Sequence, residues 1–141
     1  MKYERARVEA PLTALDATRR ALRRDTCGDW VIKGNRGHIC ADGCGFLIIV
    51  VSMRRSIRVW PNIKGKLDFC RVTQDGDDEG CLHLDHLPMP KEADLIRHVL
   101  RIKRKRQLTP DQRATMAARL KEKGRGAPSR VRPIRQKRKK R

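Results

Sequence analysis

The sequence predicts an α+β protein: a small antiparallel β-sheet over about residues 29–86, flanked by an N-terminal helix and two C-terminal helices, with a disordered basic tail. Three observations predict this fold class. Apolar residues recur at helical spacing near the N-terminus, short runs at strand spacing follow between glycine-containing turns, and helical spacing returns after the sheet. We expect one compact domain over residues 1–123 and a tail over residues 124–141.

The N-terminal helix is predicted over about residues 11–24. Pro11 suits the first turn of a helix, because a missing N–H leaves no partner unsatisfied there. Leu12, Leu15 and Leu22 belong to a partial apolar stripe. Cations stabilise the C-terminal end of a helix, and the final turns would hold four of them: Arg19, Arg20, Arg23 and Arg24.

About five or six short strands are predicted between the first helix and the second. Residues 46–52 are apolar at both parities, so we expect a central strand that is covered on both faces. Residues 56–60 alternate in the manner of a half-buried strand. The acidic stretch 75–80 predicts a hairpin tip, since it is much shorter than an EF-hand calcium loop.

Two helices are predicted after the sheet, over about residues 91–106 and 109–123. The first has an apolar side that should lie on the sheet. The second has a clear start, because Thr109 suits the cap position and Gln112 stands where a capping box requires it. The residues beyond this helix are mostly small or cationic, and they bury too little apolar surface to order the chain.

The positive charge is concentrated in the last third of the chain. Residues 101–141 hold 18 of the 35 Lys and Arg residues and two of the 16 acids, which gives this segment +16 of the total charge of +19. This density favours a polyanionic partner, because docking on a phosphate backbone releases counterions. The segment has no aromatic residue, so we expect phosphate contacts rather than base stacking. A tail that only solubilises the protein is the alternative interpretation.

The candidate nucleic-acid-binding residues form three groups. One group lies at the end of the helix predicted over residues 91–106, one lies at the end of the chain, and one lies in a turn and strand of the sheet, where a basic face would suit a DNA groove. They are Arg101, Lys103, Arg104, Lys105, Arg106, Arg130, Arg132, Arg135, Lys137, Arg138, Lys139, Lys140, Arg141, Arg54, Arg55 and Arg58.

The cysteines are Cys27, Cys40, Cys44, Cys70 and Cys81. An odd number without a secretory signal argues against a disulfide framework, so we expect reduced thiols and a cytoplasmic protein. Cys40 and Cys44 flank a glycine turn at a spacing that zinc sites tolerate, and strand alternation puts Cys81 and His83 on one face. A structural zinc is therefore considered at Cys40, Cys44, Cys70 and either Cys81 or His83. Buried or idle thiols are the alternative.

The sequence indicates a small non-enzymatic accessory or regulatory protein, of bacterial or mobile-element type, that binds DNA or RNA through phosphate contacts. It contains no nucleophile elbow, phosphate loop or dinucleotide fingerprint, and no small-molecule substrate is evident. No apolar run has the length of a membrane helix. The expected location is the cytoplasm, or the nucleoid if DNA is the partner.

Two alternatives remain open. The first is a protein–protein interaction module with a solubilising basic tail. The second is a metal-dependent nuclease, because residues 85–88 before a predicted helix are similar to the start of the HNH nuclease finger. That finger also needs an asparagine on the following helix, and no asparagine follows Asn62.

Overall fold

The computed structural model describes residues 2–52 and 58–125. It has the predicted α+β architecture, and the chain divides into two units, Met1–Arg106 and Gln107–Arg141. The helices are α1 (Lys2–Ala14), α2 (Val59–Lys66), α3 (Pro90–Leu100) and α4 (Pro110–Arg125). The strands are β1 (Leu22–Arg24), β2 (Trp30–Lys33), β3 (Gly37–Ala41), β4 (Leu47–Ser52), β5 (Arg71–Asp75) and β6 (Glu79–Leu84). The single domain expected over residues 1–123 stays a prediction.

The six described strands form one antiparallel sheet in the order β1-β2-β3-β4-β6-β5. β4 pairs with β3 and β6, so the predicted central strand lies inside the sheet. Its residues Leu47, Ile49 and Val51 are buried, whereas Ile48 and Val50 on the other face are half-buried. Only one face of β4 is therefore fully buried, whereas both faces were expected to be. The acidic stretch closes the β5–β6 hairpin as predicted.

One face of this sheet carries the hydrophobic core. Helices α1, α2 and α3 all contribute buried side chains to it, because their apolar stripes meet the alternate residues of the strands. The largest fully buried side chains are Trp60, Leu15, Ile32, Ile39, Ile49, Ile63, Leu67, Leu82, Leu84, Ile96, Leu100 and Val8. The opposite face, which we call the outer face, carries half-buried side chains: His38, Cys40, Ile48, Val50, Cys81 and His83. Cys81 and His83 thus share a face, as predicted.

The N-terminal helix lies earlier in the chain than predicted. Pro11 lies inside α1 rather than in its first turn, and Leu12 and Leu15 reach the core from the helix end. The residues expected to end the helix, 22–24, form β1 and pair with β2. Strand pairing with β2 therefore overrides the local helix propensity of the arginine-rich segment.

Helix α2 stands where the end of a strand was expected over residues 56–60. Pro61 lies in its first turn, where a missing N–H is harmless, and Trp60 and Ile63 are buried. The indole Nε1–H of Trp60 donates to Asp75 Oδ1 at 2.7 Å, which satisfies its polar atom. Val59 and Trp60, expected to end an alternating strand, therefore begin a helix that buries one side.

Helix α4 begins with the predicted capping box. Gln112 N–H donates to Thr109 Oγ1 at 3.3 Å, and Thr109 N–H donates to Gln112 Oε1 at 3.2 Å. The helix ends at Arg125 rather than at residue 123, so Gly124 belongs to the helix and not to the tail. Residues 126–141 of the predicted tail lie outside the described residues. In the part of the chain that is described, no helix is long and apolar enough to cross a membrane.

Candidate nucleic-acid interface

The basic residues 101–106, expected to be the last turns of a helix, form an extended segment that we call the strap. α3 ends at Leu100 because Arg101 adopts a left-handed conformation with φ of 53°. The strap then runs beside the segment that follows α1, and Thr18 N–H donates to the carbonyl of Lys103 at 2.9 Å. The helix is shorter than predicted because the strap backbone finds partners in a distant part of the chain.

Asp16 fixes the strap through its side chain. Its Oδ2 accepts from Arg104 Nε at 2.7 Å and lies 3.8 Å from Arg97 Nη1. The hydrogen bond from Arg104 lowers the pKa of Asp16 below its ordinary value, although burial acts in the opposite direction. Arg97 is only 8% exposed, and its Nη2 pairs with Asp94. Asp16 therefore compensates a buried cation and an exposed strap cation together.

The strap borders a cleft of about 770 Å³, which we call the basic cleft. Seven of its eleven lining residues are Lys or Arg, and all seven are exposed. None of these eleven described residues is acidic. The seven cations are Arg20, Arg23, Lys33, Arg101, Lys103, Arg104 and Arg106.

Three separate parts of the chain converge on the basic cleft. Arg20 stands in a 3-10 turn that Thr18 caps, with Arg20 N–H donating to Thr18 Oγ1 at 3.0 Å. Lys33 ends β2, and Gly34 follows it in the β2–β3 turn. A Cβ at Gly34 would overlap the carbonyl oxygen of Leu100, so only glycine lets the turn approach the end of α3 and the strap this closely.

The arrangement suits binding of a polyvalent anion. Like charges on a concave surface add to one potential, because the low-dielectric walls focus the field into the cleft. Guanidinium groups also pair with phosphate oxygens through two parallel hydrogen bonds. Arg104 shares its charge with Asp16, and Arg23 Nε donates to the Arg20 carbonyl at 3.1 Å. These contacts order the arginines and still leave guanidinium N–H groups for a ligand.

The structure brings together four of the five strap residues named as candidates. Arg101, Lys103, Arg104 and Arg106 line the basic cleft, whereas Lys105 does not. Sequence reasoning missed the other three lining cations, which are Arg20, Arg23 and Lys33. The dense arginines between residues 19 and 24 were a visible signal, but their charge was assigned to a helix end.

The remaining candidates lie elsewhere. Arg58 is exposed immediately before α2 and does not line the basic cleft. The others lie outside the described residues: Arg54, Arg55, Arg130, Arg132, Arg135, Lys137, Arg138, Lys139, Lys140 and Arg141. Their role in binding stays a prediction.

The four candidate zinc ligands are distributed over different parts of the fold. Cys40 and Cys81 lie on the outer face, Cys44 is exposed in the β3–β4 turn, and Cys70 belongs to the core cluster. Burial raises the pKa of Cys70 to about 12. Within residues 2–52 and 58–125, no three His, Cys, Asp or Glu side chains come together as a metal site. The zinc site stays a prediction.

His86, the residue behind the nuclease alternative, lies between two carboxylates at the start of α3. Its Nδ1 is 2.7 Å from Asp85 Oδ1, and its Nε2 is 2.9 Å from Glu92 Oε2. The hydrogen bond with Asp85 has the largest effect and the one with Glu92 the next largest, and both raise the pKa of His86. Glu92 Oε2 also accepts from Met89 N–H at 2.9 Å, which satisfies a free N–H at the helix start. His86 therefore joins the end of β6 to the cap of α3.

Comparison with known proteins adds no relative to this geometry. No protein family, curated protein or solved structure matches the chain. The functional interpretation is therefore drawn from the basic cleft and from the distribution of charge along the sequence.

Proposed function

We propose that the protein is a non-enzymatic nucleic-acid-binding factor that docks on the phosphate backbone through the basic cleft. The observation that carries this proposal is the convergence of seven exposed cations, from three separate chain segments, on one cleft with no acidic lining residue among those described. The cations of residues 107–141 add charge to the same molecule. A DNA or RNA strand is the partner that such a surface fits.

A polymer with many phosphates fits this charge better than a small anion does. One phosphate group is satisfied by two or three cations, whereas the cleft presents seven. Each further phosphate that a cation neutralises releases another counterion, so the affinity for a polymer grows with the number of contacts. The total charge of +19 also speeds the encounter with a polyanion.

The salt dependence of binding tests the proposal directly. In the full chain, Arg20, Lys33 and Lys103 are replaced together by Gln. Within the described residues, none of these three side chains takes part in a hydrogen bond or an ion pair, so the fold should persist. We expect a plot of log K against log salt for duplex DNA to become shallower by about 2–3, because each phosphate contact contributes a slope of about 0.9.

The matched control removes three exposed cations outside the basic cleft, by Lys66→Gln, Lys91→Gln and Arg119→Gln. Both triple variants have the same net charge, so a difference between them measures position rather than amount of charge. Equal slopes for the two variants would contradict the cleft as the binding site. A wild-type chain that binds neither duplex DNA nor single-stranded RNA at low salt would contradict the function itself.

A further inference from the structure

A second pocket, of about 530 Å³, lies at the other end of the sheet from the basic cleft. The basic cleft lies at the β2–β3 turn, whereas this pocket lies at the β3–β4 turn, beside the end of β6 and the start of β5. Its lining includes Phe46, Phe69, His83, Arg71, Asp42 and Asp85. We call it the aromatic pocket.

The aromatic pocket concentrates a scarce residue type. The whole chain has two phenylalanines, and both line this pocket. The rings of Phe46 and His83 lie 4.9 Å apart between centroids, with 39° between their planes. Phe46, Phe69 and His83 are all partly exposed. Partly exposed rings that line one pocket are suited to stacking with a flat aromatic ligand, and every nucleobase is one.

Asp42, one of the polar residues around these rings, is held in place by the fold. Asp42 Oδ1 accepts from the N–H groups of Cys44 at 2.7 Å and Phe46 at 3.1 Å, which fixes the β3–β4 turn. Burial acts to raise the pKa of Asp42, but the two backbone hydrogen bonds and His83 lower it overall, so the carboxylate is ionised at neutral pH. Arg71 stands opposite His83 in the β5–β6 register, on the same sheet face.

We propose that the aromatic pocket binds one unpaired nucleobase of a single-stranded nucleic acid, a proposal that rests on the function proposed above. A base in a duplex has both faces stacked and its pairing edge occupied, so a pocket of rings and carboxylates requires a base that is splayed out. Phe46 and His83 supply the stacking surface, and the guanidinium of Arg71 covers the base. The carboxylates of Asp42 and Asp85 accept hydrogen bonds from an exocyclic amino group.

This chemistry predicts which bases the pocket prefers. Cytosine presents an amino group that donates hydrogen bonds to carboxylates, and adenine and guanine also carry an amino group. Thymine and uracil present carbonyl oxygens on both sides of a single N–H, and these oxygens repel a carboxylate. The pocket therefore favours amino-bearing bases, with cytosine above thymine as the simplest comparison.

The test compares three oligonucleotides of equal length: oligo-dC, oligo-dT and an abasic strand with the same number of phosphates. Binding to the full chain is measured by fluorescence anisotropy. We expect oligo-dC to bind about tenfold more tightly than the abasic strand, with oligo-dT between them. Phe46→Ala should remove the preference and leave the salt slope unchanged, because the phosphate contacts remain.

Two further variants keep the proposal open to contradiction. Leu95→Ala truncates a surface residue outside the aromatic pocket and should keep the preference. Arg71 lies on an exposed strand, so Arg71→Gln should leave the fold intact. This variant should weaken the preference for oligo-dC, and it tests the pocket even if Phe46→Ala fails to fold. A wild-type chain that binds dC and abasic strands equally contradicts the base pocket while nucleic-acid binding stands, and equal binding of dC and dT contradicts the amino preference. Binding of no strand overturns both proposals.

Discussion

The two ends of the sheet use their carboxylates differently. At the β2–β3 end, Asp16 bonds to Arg104 and lies near the buried Arg97, and the basic cleft beside it keeps an entirely cationic or neutral lining among the described residues. At the β3–β4 end, Asp42 bonds to the backbone of its own turn and stays part of the pocket wall. The net charge of a chain thus says little about either end, because side-chain and backbone contacts decide where charge is presented.

Thiol labelling gives the largest expected effect. It reports on the β3–β4 end, where Cys44 lies, because no cysteine is among the described residues lining the basic cleft. Cys27 and Cys44 are exposed and should react first with iodoacetamide at pH 8. Cys70 has a pKa of about 12. Because the thiolate is the nucleophile, its rate should be about one thousandth of that of an ordinary thiol, or lower still. Mass spectrometry of a labelling time course measures each site.

The same labelling addresses the zinc prediction. Repeating it with added zinc protects Cys40, Cys44, Cys70 and Cys81 together if these residues bind the metal. Cys27 then remains the fast-reacting thiol. Unchanged labelling of Cys44 in the presence of zinc would contradict the zinc site.

Gly34→Ala is expected to destabilise the β2–β3 end of the sheet and not the β3–β4 end. The new Cβ overlaps the Leu100 carbonyl, so the turn and the strap must separate, at a cost of about 1–3 kcal/mol in the free energy of unfolding. Gly65→Ala is the control, because its Cβ meets nothing within contact distance in α2 and should stabilise the helix by about 0.5–1 kcal/mol. Urea unfolding measures both, and equal midpoints would contradict the close contact.

The smallest expected effect is a pH dependence at the start of α3. The pKa of His86 is raised above 6.5, so the folded chain holds this proton more tightly than the unfolded chain does. The stabilisation is complete below about pH 6.5 and is lost as the pH rises through the higher folded pKa. The urea midpoint of wild type should therefore fall between pH 6 and pH 8 by more than that of His86→Gln.

The control for this pH effect is His98→Gln, since His98 is exposed on the same helix. It should keep the wild-type pH dependence of the urea midpoint. If His86→Gln and wild type lose the same stability between the two pH values, the paired carboxylates do not hold the proton.

Local signals in the sequence predicted several elements correctly. The capping box at Thr109, the β5–β6 hairpin and the interior position of β4 each depend on residues close together in the chain. The end of α1 and the strap were not predicted in the same way. The segment after α1 and the strap are joined by contacts such as that between Asp16 and Arg104, which lie far apart in sequence.

Only part of the basic cleft was predicted from the sequence, for the same reason. A run of cations predicted the strap residues as candidates, since charge density is a property of adjacent residues. Lys33 and Arg20 joined the site only because β2 and the 3-10 turn fold against the strap. The aromatic pocket was not predicted, because Phe46 and Phe69 meet only once β6 lies between β4 and β5.

The edges of the sheet have a consequence for behaviour at high concentration. An open sheet ends in two strands with unpaired backbone groups, which can template filament growth by strand addition. Here one edge, β1, is three residues long and includes Arg23 and Arg24, and the other, β5, has a register shift between Val72 and Gln74. Short length, repulsion and irregular spacing all oppose docking of another strand. Arg23, which lines the basic cleft, therefore also opposes the pairing of one chain with another at this edge.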